Sequence, residues 1–112
     1  MVNKERFLHA VSTFIENDMV RDAKGNHKII LGIAKAAIRR NPDGVFNALK
    51  DNGFVSLLGV IDDHDNVDVD MLVDILSEGF GSDEFSIKFH LLGTEYNIHL
   101  SASDMQTIKR YM

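Results

Sequence analysis

The chain contains no cysteine. That absence removes disulfides, thiolate zinc sites, thiol nucleophiles and redox chemistry by the chain's own side chains. Proline occurs once, at Pro42, so most turns must be made by glycine, asparagine and aspartate. No apolar run approaches the roughly 20 residues that cross a bilayer, and the opening "MVNKERFLHAVSTF" has neither the apolar stretch nor the small-residue cleavage site of a secretory signal. The expected location is the cytoplasm, with no membrane association. G-x-S-x-G, the P-loop, the dinucleotide fingerprint, S-x-x-K and HExxH are missing as well, which takes away the common signatures of acyl transfer, nucleotide binding and zinc hydrolysis. No catalytic residue and no cofactor are expected.

Bases are scarce in the second half. From Asp51 to Asp104 twelve acids face Lys88 alone, a net −11, whereas Arg21 to Lys50 carries seven bases against two acids, a net +5. Such asymmetry suits a polyanion site, a head-to-tail partner, or two parts of one fold that attract each other. With 112 residues, 45% of them apolar, and no repeat or low-complexity linker, the chain suits one domain spanning 1–112 around one core.

The apolar residues that are present follow two periods. Phe7, Leu8, Val11, Phe14 and Ile15 form a stripe on a helix from about Lys4 to Asp18, with Asn3 as its cap and Val2 and Phe7 as a hydrophobic staple; "RDAKGN" then reads as a polar linker. A second helix from about His27 to Arg40 is expected to bury Ile29, Ile30, Ile33, Ala37 and Ile38, leaving Lys28, Lys35 and Arg39 outside, with close packing at Gly32. Asn41 and Pro42 open a third helix that runs to about Asp51 with Val45, Phe46 and Leu49 inward, stopped by Asn52-Gly53. "FVSLLGVI" reads as one helical turn ending at Gly59. Asp68 caps the next helix, with Val67 and Leu72 as a staple; this helix buries Val69, Leu72, Val73 and Leu76 and could extend to Phe80.

After that the period falls to two. Phe85, Ile87, Phe89 and Leu91 alternate with Ser86, Lys88 and His90, and Tyr96, Ile98 and Leu100 do likewise. A type II′ turn at Gly93-Thr94 would pair Leu91 with Tyr96, Phe89 with Ile98 and Ile87 with Leu100. Ser101 and Asp104 then form a variant capping box, with Leu100 and Met105 as a staple, on a closing helix that shows Met105, Ile108 and Met112 to the core. The expected fold is α+β: a mainly helical N-terminal part, a β-hairpin packed on the helices, and a short C-terminal helix.

Three surfaces could carry function. The stretch "DDHDNVDVD" crowds Asp62, Asp63, His64, Asp65, Asn66, Asp68 and Asp70 together, yet the EF-hand spacing fails from either start: from Asp62, Val67 stands where the glycine is needed and Val73 replaces the bidentate glutamate, and from Asp63, Val67 takes the fifth position that needs Asp or Asn. No specific metal site is expected there. Weak cation binding through Asp62, His64 and Asp65 remains an alternative, as does a pair formed by His90 and His99, diagonal neighbours in the expected register. The basic segment Arg21–Lys50 offers Lys35, Arg39 and Arg40 to nucleic acid, although Asp43, Asp51 and a pI near 5.4 oppose it. The third surface is the hairpin. Its strands lack proline, and Lys88, His90, Asn97 and His99 share one nearly uncharged face, so its edges invite strand addition unless the closing or N-terminal helix shields one. The expected function is a non-enzymatic interaction or assembly module that meets a protein partner or a second copy of itself at the hairpin edge.

Overall fold

The computed structural model describes residues 1–51, 53–78 and 86–112, with residues 53, 54 and 91 described by their backbone alone. Helix α1 (Lys4–Phe14) starts at the expected cap, where the Asn3 side-chain Oδ1 accepts the Arg6 N–H at 2.8 Å. It does not end near Asp18. The chain widens into a π-helical segment (Ile15–Met19) and closes with one further turn, α2 (Val20–Asp22), so Arg21 and Asp22 are helical and not linker. The reason is tertiary: Ile15 is fully buried, and the Asp18 carboxylate accepts the Tyr111 hydroxyl at 2.7 Å, contacts that no local propensity encodes.

Helix α3 (Asn26–Arg40) is rotated relative to its expected face. Leu31, Ala34 and Ile38 are buried, Ile30, Ile33 and Ala37 are half-buried, and Ile29 is 62% exposed. A helix with isoleucine on several sides has no single apolar stripe, so its partners choose the face. The same rotation turns Lys35 partly inward, 3.3 Å from Glu16, where an outward position was expected. Gly32 is exposed, and a Cβ placed on it would meet nothing within 4 Å, so the expected close packing is absent.

Helix α4 (Pro42–Lys50) follows its sequence signals closely. Pro42 takes the first position, the Asn41 side chain accepts the Gly44 N–H at 3.1 Å, and Val45, Phe46 and Leu49 are buried. Helix α5 (Gly53–Leu58) ends at Gly59, as expected, and Gly59 supplies a left-handed stop with φ of +70°. Gly53, expected with Asn52 to form a left-handed stop after α4, instead opens α5, and Asn52 lies outside the described residues. Helix α6 (Val69–Ser77) is capped by Asp68, which accepts the Met71 N–H at 3.0 Å, and it buries Val69, Leu72, Val73 and Leu76; Phe80 lies outside the described residues.

Between these helices the backbone forms a clasp that periodicity does not announce. Val2 and Val67 exchange main-chain hydrogen bonds of 3.0 and 2.7 Å, and Val67 also bridges Ile61. The start of the chain is thereby tied to the entry of α6.

The hairpin comprises β1 (Ser86–Leu91) and β2 (Thr94–His99), antiparallel, with β1 packed on α4 and β2 on α3. Phe85 falls outside the described residues. The closing helix α7 (Ala102–Arg110) has the full reciprocal box: Ser101 N–H donates to Asp104 at 3.0 Å, and Asp104 N–H donates to Ser101 Oγ at 3.1 Å. Met105 and Ile108 are buried, whereas Met112 is only half-buried, because the helix ends at Arg110. Helix α7 packs on both α1 and α6, the latter aided by the ion pair of Lys109 with Asp70. One apolar core joins all these elements, and no helix among the described residues is long and apolar enough to cross a membrane.

Two stability outcomes follow. Gly32→Ala should stabilise the fold by up to about 1 kcal/mol, because it adds helix propensity where space is free; a lower melting temperature would show that α3 is packed there. Asp68→Ala should cost about 1 kcal/mol through its lost cap, while Asp63→Ala, on an exposed turn, stays within about 0.5. Denaturant titration separates the two, and equal losses would displace the start of α6.

Candidate functional site

The acidic stretch closes on itself. Asp62 Oδ1 accepts the main-chain N–H groups of His64 (2.8 Å) and Asn66 (2.9 Å), and Oδ2 accepts the Asn66 amide at 3.3 Å. Asp65 sits at φ +62°, a conformation aspartate tolerates, and its carboxylate pairs with Lys50 at 2.7 Å. Two of the three weak metal candidates, Asp62 and Asp65, thus serve the turn itself; the third, His64, is exposed. Among the described residues no three His, Asp or Glu side chains gather around one point.

His90 and His99 are not diagonal neighbours. The observed register sets Ile87 opposite Ile98, Phe89 opposite Tyr96 and position 91 opposite Thr94, two positions from the expected one. His90 then faces Glu95 and His99 faces Ser86, about 13 Å apart along the ladder. The turn is Leu92-Gly93, with φ +50° and +81°, a type I′ geometry in place of type II′ at Gly93-Thr94. Leucine in a left-handed turn costs roughly 1 kcal/mol or more. Packing offsets that strain: Phe89 stacks on Tyr96 with centroids 5.5 Å apart, and Leu100, released from the ladder, is 1% exposed ahead of α7. A slip of two keeps every side chain on its expected face. Ile87, Phe89 and Ile98 are buried, while Lys88, His90, Asn97 and His99 are exposed.

The turn also determines which main-chain groups face outward. In a hairpin with a two-residue loop the pair flanking the loop exchanges both hydrogen bonds and the next pair exchanges none. Residues 91, 89 and 87 therefore bond to 94, 96 and 98. The N–H and C=O groups of Lys88 and His90 point away from β2, and those of Glu95, Asn97 and His99 point away from β1. The two edges have different surroundings. β1 packs on α4, whereas the expected alternative to an open edge is shielding by the closing or N-terminal helix, and a cleft of about 640 Å³ that Lys88, His90 and Arg40 help to line opens between β1, α3 and α4. The β2 edge is exposed at Thr94, Glu95, Asn97 and His99, and among the described residues no main-chain group outside the hairpin bonds to it.

The basic segment is partly spent. Lys35 pairs with Glu16 and Lys50 with Asp65, leaving Arg39 and Arg40 exposed at the end of α3. The structure thus brings Arg40, from one expected surface, beside Lys88 and His90, from another, and leaves Asn97 and His99 on the far strand. The cleft itself was not foreseen; the alanines and glycine of "AKAAIRRNPDGVFNALK" are its only trace in the sequence. No family model matches the chain, and neither a curated protein nor a solved structure matches it.

The hydrogen bonds to Asp62, the Asn66 N–H foremost and the His64 N–H after it, hold its carboxyl below the usual aspartate range. Its contribution is present above the unfolded value of about 3.9 and is lost as pH falls through the lower folded value. Asp62→Asn should therefore unfold with a shallower loss of stability below about pH 4 than the parent does. Identical acid titrations by circular dichroism would show that the turn contributes nothing.

Proposed function

We propose that this protein is a non-enzymatic assembly module that joins a second copy of itself through the open edge of β2. The observation that carries this reading is the order of side chains along that edge: Glu95, Asn97, His99, each with its main chain facing outward. A two-fold axis through Asn97 would lay a second β2 antiparallel to the first, with asparagine opposite asparagine and Glu95 opposite His99 of the partner subunit, twice. Three outward pairs then exchange six main-chain hydrogen bonds. Centring the axis on Glu95 instead sets two carboxylates opposite each other, which is unfavourable. Between the bonded pairs, Tyr96 would meet Ile98 of the partner subunit, an aromatic and β-branched pair of the kind that stabilises sheets.

The product is a four-stranded sheet, where an isolated hairpin would be marginal. Both apolar faces lie on the same side of it, covered by helices, and both polar faces meet water, the usual arrangement of an antiparallel sheet. No proline or lysine on β2 blocks addition.

Light scattering and sedimentation equilibrium test the reading. The parent chain should be a dimer. Asn97→Pro, which removes an outward N–H and no hairpin bond, should be a folded monomer with an unchanged circular dichroism spectrum. Glu95→Lys should weaken the dimer, and adding His99→Glu should restore it. A parent chain that stays monomeric at its highest soluble concentration, or a dimer indifferent to Asn97→Pro, overturns the proposal.

A further inference from the structure

Among the described residues, the cleft bounded by α3, α4 and β1 encloses about 640 Å³, within the roughly 300 to 1,000 Å³ typical of small-molecule sites. Its lining combines two chemistries. Ile33, Ala37, Ala48 and Phe89 make apolar walls, and the small side chains on the two helices leave open a volume that leucine or isoleucine there would have filled. Charge is added at the margins by Arg40 at the end of α3 and by Lys88 on β1, with His90 beside it and Asp51 as the one acid on the lining. Among the described residues no carboxylate lies within ion-pair distance of Arg40 or Lys88.

The charges are also ordered along the cleft. Arg40 adjoins the N-terminal end of α4, and Asp51 follows its C-terminal end, roughly 13 Å away for a nine-residue helix. The dipole ends of α3 and α4 meet with opposite sign beside Arg40 and offset each other, so the polarity of the cleft rests on the Arg40 and Asp51 side chains. An elongated guest with one anionic end therefore has a preferred direction.

We propose that this cleft binds an apolar monocarboxylate, its hydrocarbon body along α4 between Ala48 and Phe89 and its carboxylate at Arg40. The guanidinium offers two parallel N–H donors that match a carboxylate. Asp51 repels the reverse orientation. A neutral alcohol of the same length would fill the walls and leave the arginine without its partner; a short carboxylate such as acetate would meet the arginine and leave the walls empty. The site is independent of the β2 edge, which lies across the hairpin from it.

Isothermal titration with decanoate, decanol and acetate tests the assignment on the intact chain. Decanoate should bind with one-to-one stoichiometry and raise the melting temperature, and neither decanol nor acetate should match it. Arg40→Gln, an exposed position, should weaken decanoate about tenfold or more while leaving the melting temperature of the free protein unchanged. Ala48→Leu should block binding by occupying the cleft; if that variant does not fold, Ala37→Val fills the same space with less volume. Equal binding of decanol and decanoate, or decanoate affinity unchanged in Arg40→Gln, would overturn the assignment, as would the absence of any binding by decanoate.

Discussion

The buried face of α1 is the surface on which the rest of the molecule is laid. Phe7, Leu8, Ala10, Val11 and Phe14 are each no more than 4% exposed, as is Ile15 at the start of the π-helical segment, and α3, α4 and α7 all pack against α1. At about 25 cal/mol per Å² of apolar area, side chains of this size contribute roughly 1.5 to 3 kcal/mol each when fully buried, so losing this face would remove more than the net stability of a typical domain. The helix is secured at both ends by long-range contacts. Its entry is held by the Val2–Val67 main-chain clasp. Near its exit Asp18 accepts from Tyr111, and on its first turn Arg6 donates to the main-chain oxygen of Met112, the Nε bond measuring 3.0 Å.

The hairpin depends on α1 at one remove. Its two strands rest on α4 and α3, which themselves rest on α1. A hairpin held in this way has its apolar face covered and its edges left to other devices. One edge borders a helix across a cleft; the other ends in water. The proposed assembly surface and the proposed ligand site are thus two consequences of a single arrangement, a two-stranded ribbon laid on a helical layer. Leu92 marks the strain in this arrangement: it is 97% exposed at φ +50°, held there because the register that stacks Phe89 on Tyr96 requires it.

Electrostatics follow the same local logic. Among the described residues the acidic excess after Asp51 is not gathered into one metal-binding cluster. Asp62 closes its own turn, Asp65 meets Lys50, Asp68 caps α6, Asp70 meets Lys109, and Asp104 completes the box of α7. These five carboxylates are explained within a few residues or by one ion pair. The basic segment spends Lys35 and Lys50 in the same manner and keeps Arg40 for the cleft.

What the sequence by itself determined is whatever a short stretch of chain can satisfy. The caps at Asn3, Asn41, Asp68 and Ser101, the end of α5 at Gly59, the Asp62 turn and the alternation of both strands are hydrogen bonds and periodicities that close within about four residues, and all were legible. Only the tertiary structure decided the features that depend on a distant partner. These are the π-helical extension beyond Phe14, the face that α3 buries, the two-residue shift in hairpin register, the Val2–Val67 clasp, and the cleft that brings Arg40 to Lys88. In each of these the local signal was degenerate: isoleucines on several sides of one helix, two turns that preserve the same strand faces, alanines equally suited to packing or to leaving space. Long-range packing lifts such degeneracy because a few kcal/mol of burial outweighs the roughly 1 kcal/mol by which local alternatives differ. The register illustrates the rule, since a leucine was forced left-handed so that Phe89, stacked on a half-buried Tyr96, and Leu100 could be buried.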